Sequence, residues 1–377
     1  MISIIIAVTL VYLLLIGSFC LGFDRVKTFE LSDMKPKTRF SVIIPFRNEA
    51  KELPALLESI SRLNYPKERF ELIFVDDDSD DDSRNIVETF LASKGVGGAN
   101  ITVIHNVRST NSPKKDAITL AISKANYDWI VTTDADCVLP KYWLDSFDEL
   151  IQKQHPDLVV APITYHYVTG FLQNFQLLDV LSLQGATIGG FGTKTPFLCN
   201  GANLAYTKQL FNAVNGFQGN AEVASGDDVF LLEKATRNNA SNVHYLKCKH
   251  AVVATKALTS TADLLEQRVR WAAKSSAYKN LFGKFAGLII LTQNGLLIAS
   301  LFLVGIGVLK PKELLYIFII KFSIDFLLIY KSALFFDQKS HLKHYLLASL
   351  CYPFFSVYVA FIAVFKGYQW KGRSYRQ

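Results

Sequence analysis

Two stretches of this 377-residue chain place carboxylates where they can do chemistry. Asp134-Ala135-Asp136 sets two carboxylates either side of a small residue. Such a pair can bind Mg2+ or Mn2+, both of which favour oxygen ligands. A metal held there can bridge phosphates and neutralise a leaving diphosphate. Taken alone, the triplet reads sooner as an acidic turn facing water; its place at a strand end, two βα units after another acidic cluster, raises the metal reading. Residues 76–83 carry six aspartates in eight positions. Asp76 and Asp77 are expected to meet hydrogen-bond donors of a base or ribose. The later aspartates are expected to cap a helix and meet solvent, with Ser83 as an alternative N-cap. The spacing is not that of an EF-hand, because no Gly and Glu follow where that loop requires them. His105, His166, His244 and His250 show no metal-ligand spacing and read as structural.

The elements that must position these carboxylates are strands alternating with helices. Short apolar runs at 41–45, 71–75, 101–105 and 129–133 read as buried strands. Helical spacing fills 50–63, 84–94 and 115–124 between them, and 95–98 is a loop tip. This alternation predicts an α/β fold with a doubly wound, mostly parallel sheet. Ligands of such sheets bind beyond the carboxyl ends of the strands. Both acidic stretches begin where a strand ends, so the topology is expected to bring them to one edge.

Composition points to a membrane. Half of the residues are hydrophobic, 19% are charged and 28 are Phe, with a mean hydropathy of +0.21. The net charge of +7 fits Lys and Arg gathered on one side of a bilayer better than a nucleic-acid groove. Residues 2–23 are uncharged, long enough to cross roughly 30 Å of hydrocarbon. They lack a basic leader and a cleavage site, which argues against a removed signal peptide. Arg25, Lys27, Lys35, Lys37 and Arg39 follow and place the next domain in the cytoplasm, at the inner membrane if the source is bacterial. Residues 285–309 and 345–365 are also uncharged. Residues 314–336 differ, because Lys321 and Asp325 stack on one helix face. That segment is expected either to span with the pair turned into a helix bundle, or to lie in the interface with the pair solvated. The basic tail, which prefers the inside, favours the interfacial version. The five cysteines show neither a disulfide framework nor CxxC spacing. The resulting division is a transmembrane helix at 1–23, a basic linker at 24–39, a catalytic domain at 40–283, a membrane region at 284–365 and a basic tail at 366–377.

Eight segments in this order carry a resemblance to the family 2 glycosyltransferases: SVIIPFRNEA (41–50), FVDDDSDD (74–81), SPKKDAITLAI (112–122), TDADC (133–137), NGAN (200–203), SGDDVFLLEK (225–234), QRVRW (267–271) and WKGR (370–373). The resemblance implies a GT-A fold, inverting sugar transfer from a nucleotide-diphosphate sugar, a UDP-sugar as donor, and a divalent metal, Mg2+ or Mn2+. It implies that Pro45, Asn48 and Glu49 belong to the first nucleotide-contacting loop, that Asp76 and Asp77 hold the nucleoside, and that Lys114 lies near the donor. Asp134 and Asp136 match the metal motif, with Asp136 the direct ligand. Asn200, Gly201 and Asn203 match the loop near donor sugar and acceptor. Asp228 aligns with the general base, and Asp227 stands where the family usually carries Glu. Gln267, Arg270 and Trp271 match the Q-x-x-R-W motif at the acceptor channel and diphosphate.

Elementary chemistry agrees with these roles. Inverting transfer needs one base on the acceptor hydroxyl, opposite the leaving group. It also needs positive charge on the departing diphosphate, which a metal and Arg270 can supply. Other readings stay open: Trp271 as an interfacial anchor, and Arg268 and Lys274 as partners of lipid headgroups. Residues 171–188 and 258–278 contain amphipathic stretches that can lie on a bilayer, although Phe175 and Leu178 suit ordinary core packing. The expected partners are a nucleotide sugar, a lipid or glycan acceptor and the bilayer, without nucleic acid. The small membrane region favours single transfer over polymer synthesis. A processive synthase of the poly-N-acetylglucosamine type, a non-catalytic nucleotide-sugar-binding protein and, on the Lys321–Asp325 pair alone, a transporter are the competing readings.

Overall fold

The computed structural model describes residues 2–93, 98–223, 225–365, 368–370 and 373–375. Lys366, Lys371 and Arg376 of the basic tail, and residues 95–97 of the loop tip, lie outside the described residues.

The chain begins with helix α1 (Ile2–Arg25) and strand β1 (Phe40–Phe46). Helix α2 (Leu53–Ser61), strand β2 (Phe70–Asp76), helix α3 (Ser83–Ala92) and strand β3 (Asn100–His105) follow. Next come α4 (Pro113–Lys124), β4 (Trp129–Thr132), α5 (Trp143–Gln154), β5 (Leu158–Val160) and β6 (Ile163–His166). Then follow α6 (Gly170–Gly192), β7 (Leu204–Thr207), α7 (Lys208–Ala213), α8 (Asp227–Asn239), β8 (Val243–Tyr245), β9 (Val253–Lys256) and α9 (Thr261–Ala273). Three long helices come next, α10 (Leu281–Gly305), α11 (Pro311–Phe335) and α12 (Tyr345–Phe365), followed by the short antiparallel strands β10 (Tyr368–Trp370) and β11 (Arg373–Tyr375).

These elements form two compact units. One comprises residues 27–166 and 198–256, and the other residues 1–26, 167–197 and 257–377. The division is not the linear one read from the sequence, because 167–197 and 257–283 fold with the apolar helices. The reason for the first segment lies in its glycines. A Cβ at Gly189 would sit 2.5 Å from the Phe19 carbonyl oxygen, and one at Gly22 would meet Gly189 itself. Helices α1 and α6 therefore cross at backbone contact, which larger residues forbid.

The first unit holds a seven-stranded sheet in the order β3-β2-β1-β4-β7-β5-β8. Strands β1 to β4 are mutually parallel, and β7 runs antiparallel to both β4 and β5. The parallel strands are continuous apolar runs because both faces are covered. Val42, Ile43, Ile44, Leu72, Phe74, Ile130 and Val131 are all fully buried. In register, Phe46 faces Asp76 and Asp76 faces His105. The carboxyl ends of three strands are thus flush, and the loops that follow emerge from one edge.

The linker expected at 24–39 is strapped to α5 by two buried carboxylates. Glu149 accepts from the Ser32 and Met34 amides at 2.8 and 3.2 Å. Asp148 accepts from the Lys37 and Thr38 amides at 3.1 and 2.9 Å.

In the second unit, α1, α10 and the segment Lys339–Phe365 containing α12 are long and apolar enough to cross a membrane. Their polarity is turned inside out. Leu14, Leu288, Phe302 and Phe361 are each more than 60% exposed, whereas Gln293, Asn294 and Ser300 of α10 are fully buried. Helix α11 runs beside α1 in the same direction: Ile5 clusters with Ile317, and Lys331 pairs with Asp24 at 2.7 Å. Between these levels Lys321 bonds Asp325 at 2.5 Å, and the Tyr12 hydroxyl donates to Asp325 at 2.5 Å. The sequence leaned towards an interfacial helix with a solvated pair. The pair is instead internal, with Lys321 only 6% exposed, because Tyr12 supplies a partner that solvent would otherwise provide. Phe175 is also buried, edge-on to Phe355 at 5.1 Å, as ordinary core packing requires.

Candidate active site

Helix α4 follows β3 and starts at Pro113, so Lys114 projects from its first turn. The loop ahead of that helix is held by Asp116, which accepts from the Ser109 and Thr110 amides at 3.0 and 2.9 Å. Lys114 Nζ donates to Asp134 Oδ1 at 2.7 Å and lies 3.3 Å from Asp227 Oδ2. Burial works against its charge, but Asp134 and then Asp227 outweigh it and hold the ammonium well above its usual range. Lys114 is therefore a fixed cation joining two acidic segments that lie 93 positions apart.

Asp227 and Asp228 open α8 behind Gly226, whose φ of +87° suits glycine. Both carboxylates are buried, 8% and 9% exposed, and the helix N-terminus favours negative charge there. Asp228 accepts from the Gly201 amide at 3.2 Å and from the Val229 amide at 2.7 Å. A Cβ at Gly201 would stand 2.8 Å from Asp227 Oδ2 and 3.4 Å from Lys114 Nζ. Thr132 ties the same loop to β4 by donating to the Gly201 carbonyl at 2.7 Å. Asn200 caps the turn by accepting from the Ala202 amide. Asn203 stands apart from this group. It is fully buried, and its amide is committed to Trp143, Pro162 and Ala251 at 2.7–2.9 Å. Its position serves the loop's shape.

At the neighbouring strand ends, Asp77 accepts from Asn106 Nδ2 and Arg108 Nε, both at 2.8 Å. Asp76 accepts from the Ser79 amide at 3.0 Å. Asn48 donates its amide to Ser79 Oγ and accepts from the Asp80 amide at 2.8 Å. The Glu49 amide donates to Ser83 Oγ at 2.7 Å, and the Ala50 amide to Asp81 at 3.1 Å. The loop holding Pro45, Asn48 and Glu49 is thus laced to the six-aspartate loop, where Asp80 pairs with Arg47 at 3.2 Å and Asp81 accepts from the Ser83 amide at 3.0 Å. Asn106, Arg108 and Asp116 were missed in the sequence. The signal for Asn106 and Arg108 was position alone, just past the carboxyl end of β3, and that for Asp116 its place in the first turn of α4.

Asp134 and Asp136 are both partly exposed. Among the described residues, no three His, Cys, Asp or Glu side chains converge as a metal cluster. A Mg2+ or Mn2+ site that shares its shell with phosphates and water needs only one or two carboxylates. With Asp134 already facing Lys114, Asp136 and Asp134 fit such a site. Gln267, Arg270 and Trp271 all lie on α9, in the other unit. Arg268, for which lipid headgroups were one open reading, is buried and pairs with Asp179 at 2.8 Å.

The parallel sheet, the acidic strand ends and the bridging lysine define the fold of a GT-A type nucleotide-diphospho-sugar transferase. The mannosyltransferase PcManGT from Pyrobaculum calidifontis, solved with GDP-Man and Mn2+, shares that fold at TM-score 0.58 and 17% identity, over 97% of this chain and 99% of its own. The sequence model of Glycosyl transferase family 2 matches residues 41–212. Over this segment the chain is similar to the family 2 glycosyltransferases. Curated relatives are similar over parts of their length. The Staphylococcus aureus poly(ribitol-phosphate) beta-N-acetylglucosaminyltransferase TarS is 29% identical over 122 residues, 32% of this chain and 20% of its own. Glycosyltransferase AglE of Haloferax volcanii is 23% identical over 61% of this chain and 70% of its own. The undecaprenyl-phosphate 4-deoxy-4-formamido-L-arabinose transferase of Serratia proteamaculans is 33% identical over 29% of this chain and 32% of its own. The chain therefore spans about a fifth of the first of these relatives.

Proposed function

We propose that this protein is a membrane-bound glycosyltransferase that moves a sugar from a nucleotide-diphosphate sugar to a lipid or glycan acceptor with inversion. The observation that carries the reading is Lys114, held between Asp134 and Asp227 beside Asp228 and Gly201. It gathers a metal-type carboxylate, a fixed cation and a candidate base from three separate loops at one sheet edge. Membrane attachment is supported by the apolar exterior and polar interior of the helical unit.

In this reading Asp76 and Asp77 receive the nucleoside, with Asn106 and Arg108 holding Asp77 in place. Asp136 and Asp134 would hold Mg2+ or Mn2+, whose charge offsets that of the departing diphosphate. Asp228 takes the acceptor hydroxyl proton as that oxygen attacks the anomeric carbon, and the nucleoside diphosphate leaves from the opposite side. The Gly201 and Val229 amides keep one Asp228 oxygen each oriented. Lys114 keeps Asp134 and Asp227 from repelling one another. Gln267, Arg270 and Trp271 serve acceptor and diphosphate. Single-sugar transfer is the preferred mode.

The test is turnover by the purified full chain in lipid nanodiscs. Diphosphate release from UDP-, GDP- and dTDP-sugars is measured with Mn2+ and after EDTA. Asp136→Ala and Asp228→Asn are expected to lose at least about 100-fold in kcat, and EDTA to abolish turnover until Mn2+ returns. Wild-type rates in both variants would sink the assignment. Long polymer in place of a singly extended acceptor would overturn the preference for single transfer.

A further inference from the structure

We infer that Arg268, the residue inside the Q-x-x-R-W motif that the motif itself does not specify, positions the two motif side chains Gln267 and Trp271. The inference rests on the reading above, in which that motif serves acceptor and diphosphate. Its evidence lies wholly within the helical unit.

On α9, positions 268 and 271 share a face by their i,i+3 spacing. The Arg268 guanidinium carbon lies 4.2 Å from the centroid of the Trp271 ring. A second nitrogen of the same guanidinium donates to the side-chain oxygen of Gln267. The Nε of Arg268 donates to Asp179 of α6 at 2.8 Å, with both residues only 6% exposed. Helix α6 also grips the chain just ahead of α9. Gln176 donates to the Leu258 carbonyl at 2.8 Å and accepts from the Leu258 amide at 2.9 Å. One planar cation therefore sets the plane of an indole and the direction of a carboxamide, and its own orientation is set by a carboxylate on another helix.

A purely stabilising role explains this poorly. A buried ion pair is seldom more stable than an apolar pair of the same volume. What it supplies is direction: a guanidinium donates along fixed vectors and stacks flat on an aromatic ring, and an ammonium does neither. Gln267 and Trp271 are partly exposed, so without Arg268 each regains rotamers.

The experiment uses the full chain in nanodiscs with Arg268→Lys and with the double variant Arg268→Met/Asp179→Leu. The double variant leaves no buried charge unpaired, so it carries the comparison if the lysine variant melts early. Three quantities are read: melting temperature, kcat and KM for UDP-N-acetylglucosamine or GDP-mannose, and acrylamide quenching of Trp271. The Trp271 signal is taken as the difference between each protein and its Trp271→Phe counterpart. Expected are melting near wild type in the double variant, a donor KM within about twofold, a kcat lower by about 10- to 100-fold, and roughly doubled quenching of Trp271 in both variants. Wild-type kcat in a variant that melts like wild type overturns the inference, and so does unchanged quenching. If the wild type turns over no donor, the functional reading fails, and the quenching measurement still decides whether Arg268 holds Trp271.

Discussion

At the residue scale the candidate site is organised around charges that neutralise one another before any ligand arrives. Lys114 sits between two aspartates, and its raised affinity for a proton keeps it cationic across the physiological range. Gly201 is the residue this arrangement tolerates least change at, because a methyl group there would press on Asp227 and approach Lys114. Gly201→Ala is therefore expected to lower kcat by about 10- to 100-fold with little change in melting temperature. Steady-state kinetics beside a thermal melt check it; unaltered kcat would show that the loop yields without disturbing Asp227. The Asp134-Ala135-Asp136 and Asp76-Asp77 pairs were legible in the sequence because they follow apolar strands. The partners of Asp77 were not. Asn106 and Arg108 are ordinary loop residues until β3 is laid against β2 and the ends come flush.

At the scale of elements, α5 fastens the chain that enters the sheet. Burial works against a charged Glu149, but the Ser32 and Met34 amides and the Lys153 ammonium outweigh it and hold its carboxyl below the usual range. A carboxylate lowered in this way stabilises the fold above its unfolded value, near about pH 4.3, and loses that contribution as pH falls through the folded value. Glu149→Gln is accordingly expected to melt several degrees below wild type at pH 7, by about 1–3 kcal/mol, with the gap closing below about pH 4. Melting curves over pH 3–8 check the sign; a gap that widens in acid contradicts it. The strands and first helices matched their expected positions within a few residues, since apolar runs and helical spacing are local signals. The antiparallel β7 and the crossing of α6 over α1 were not legible, because each depends on a partner far along the chain.

At the scale of the whole molecule, the chain builds two kinds of interior. The sheet unit hides apolar strands and exposes charge. The helical unit exposes leucine and phenylalanine and hides Gln293, Asn294, Lys321 and Asp325's partner Tyr12. Removing one member of the Lys321–Asp325 pair strands the other in an apolar setting, at a cost of about 3–5 kcal/mol. Lys321→Leu alone is thus expected to lower folded yield and melting temperature, and Lys321→Leu/Asp325→Leu to recover most of the loss. Detergent-solubilised melts of both test this. Equal behaviour of single and double variants would show that the pair is exposed to water.

The sequence by itself determined the class of fold, the edge of the sheet at which the acidic stretches emerge, and the apolar segments. Each is a periodicity or a short run that neighbouring residues specify among themselves. Only the tertiary structure decided which charges meet. Lys114 with Asp134 and Asp227, Arg268 with Asp179, and Tyr12 with Asp325 are pairs separated by at least 20 positions. Coulombic and hydrogen-bond energies act over a few ångströms of space, so no spacing along the chain can announce them. The same physics decided between open readings, burying Arg268 against Asp179 and turning the Lys321–Asp325 pair to the interior.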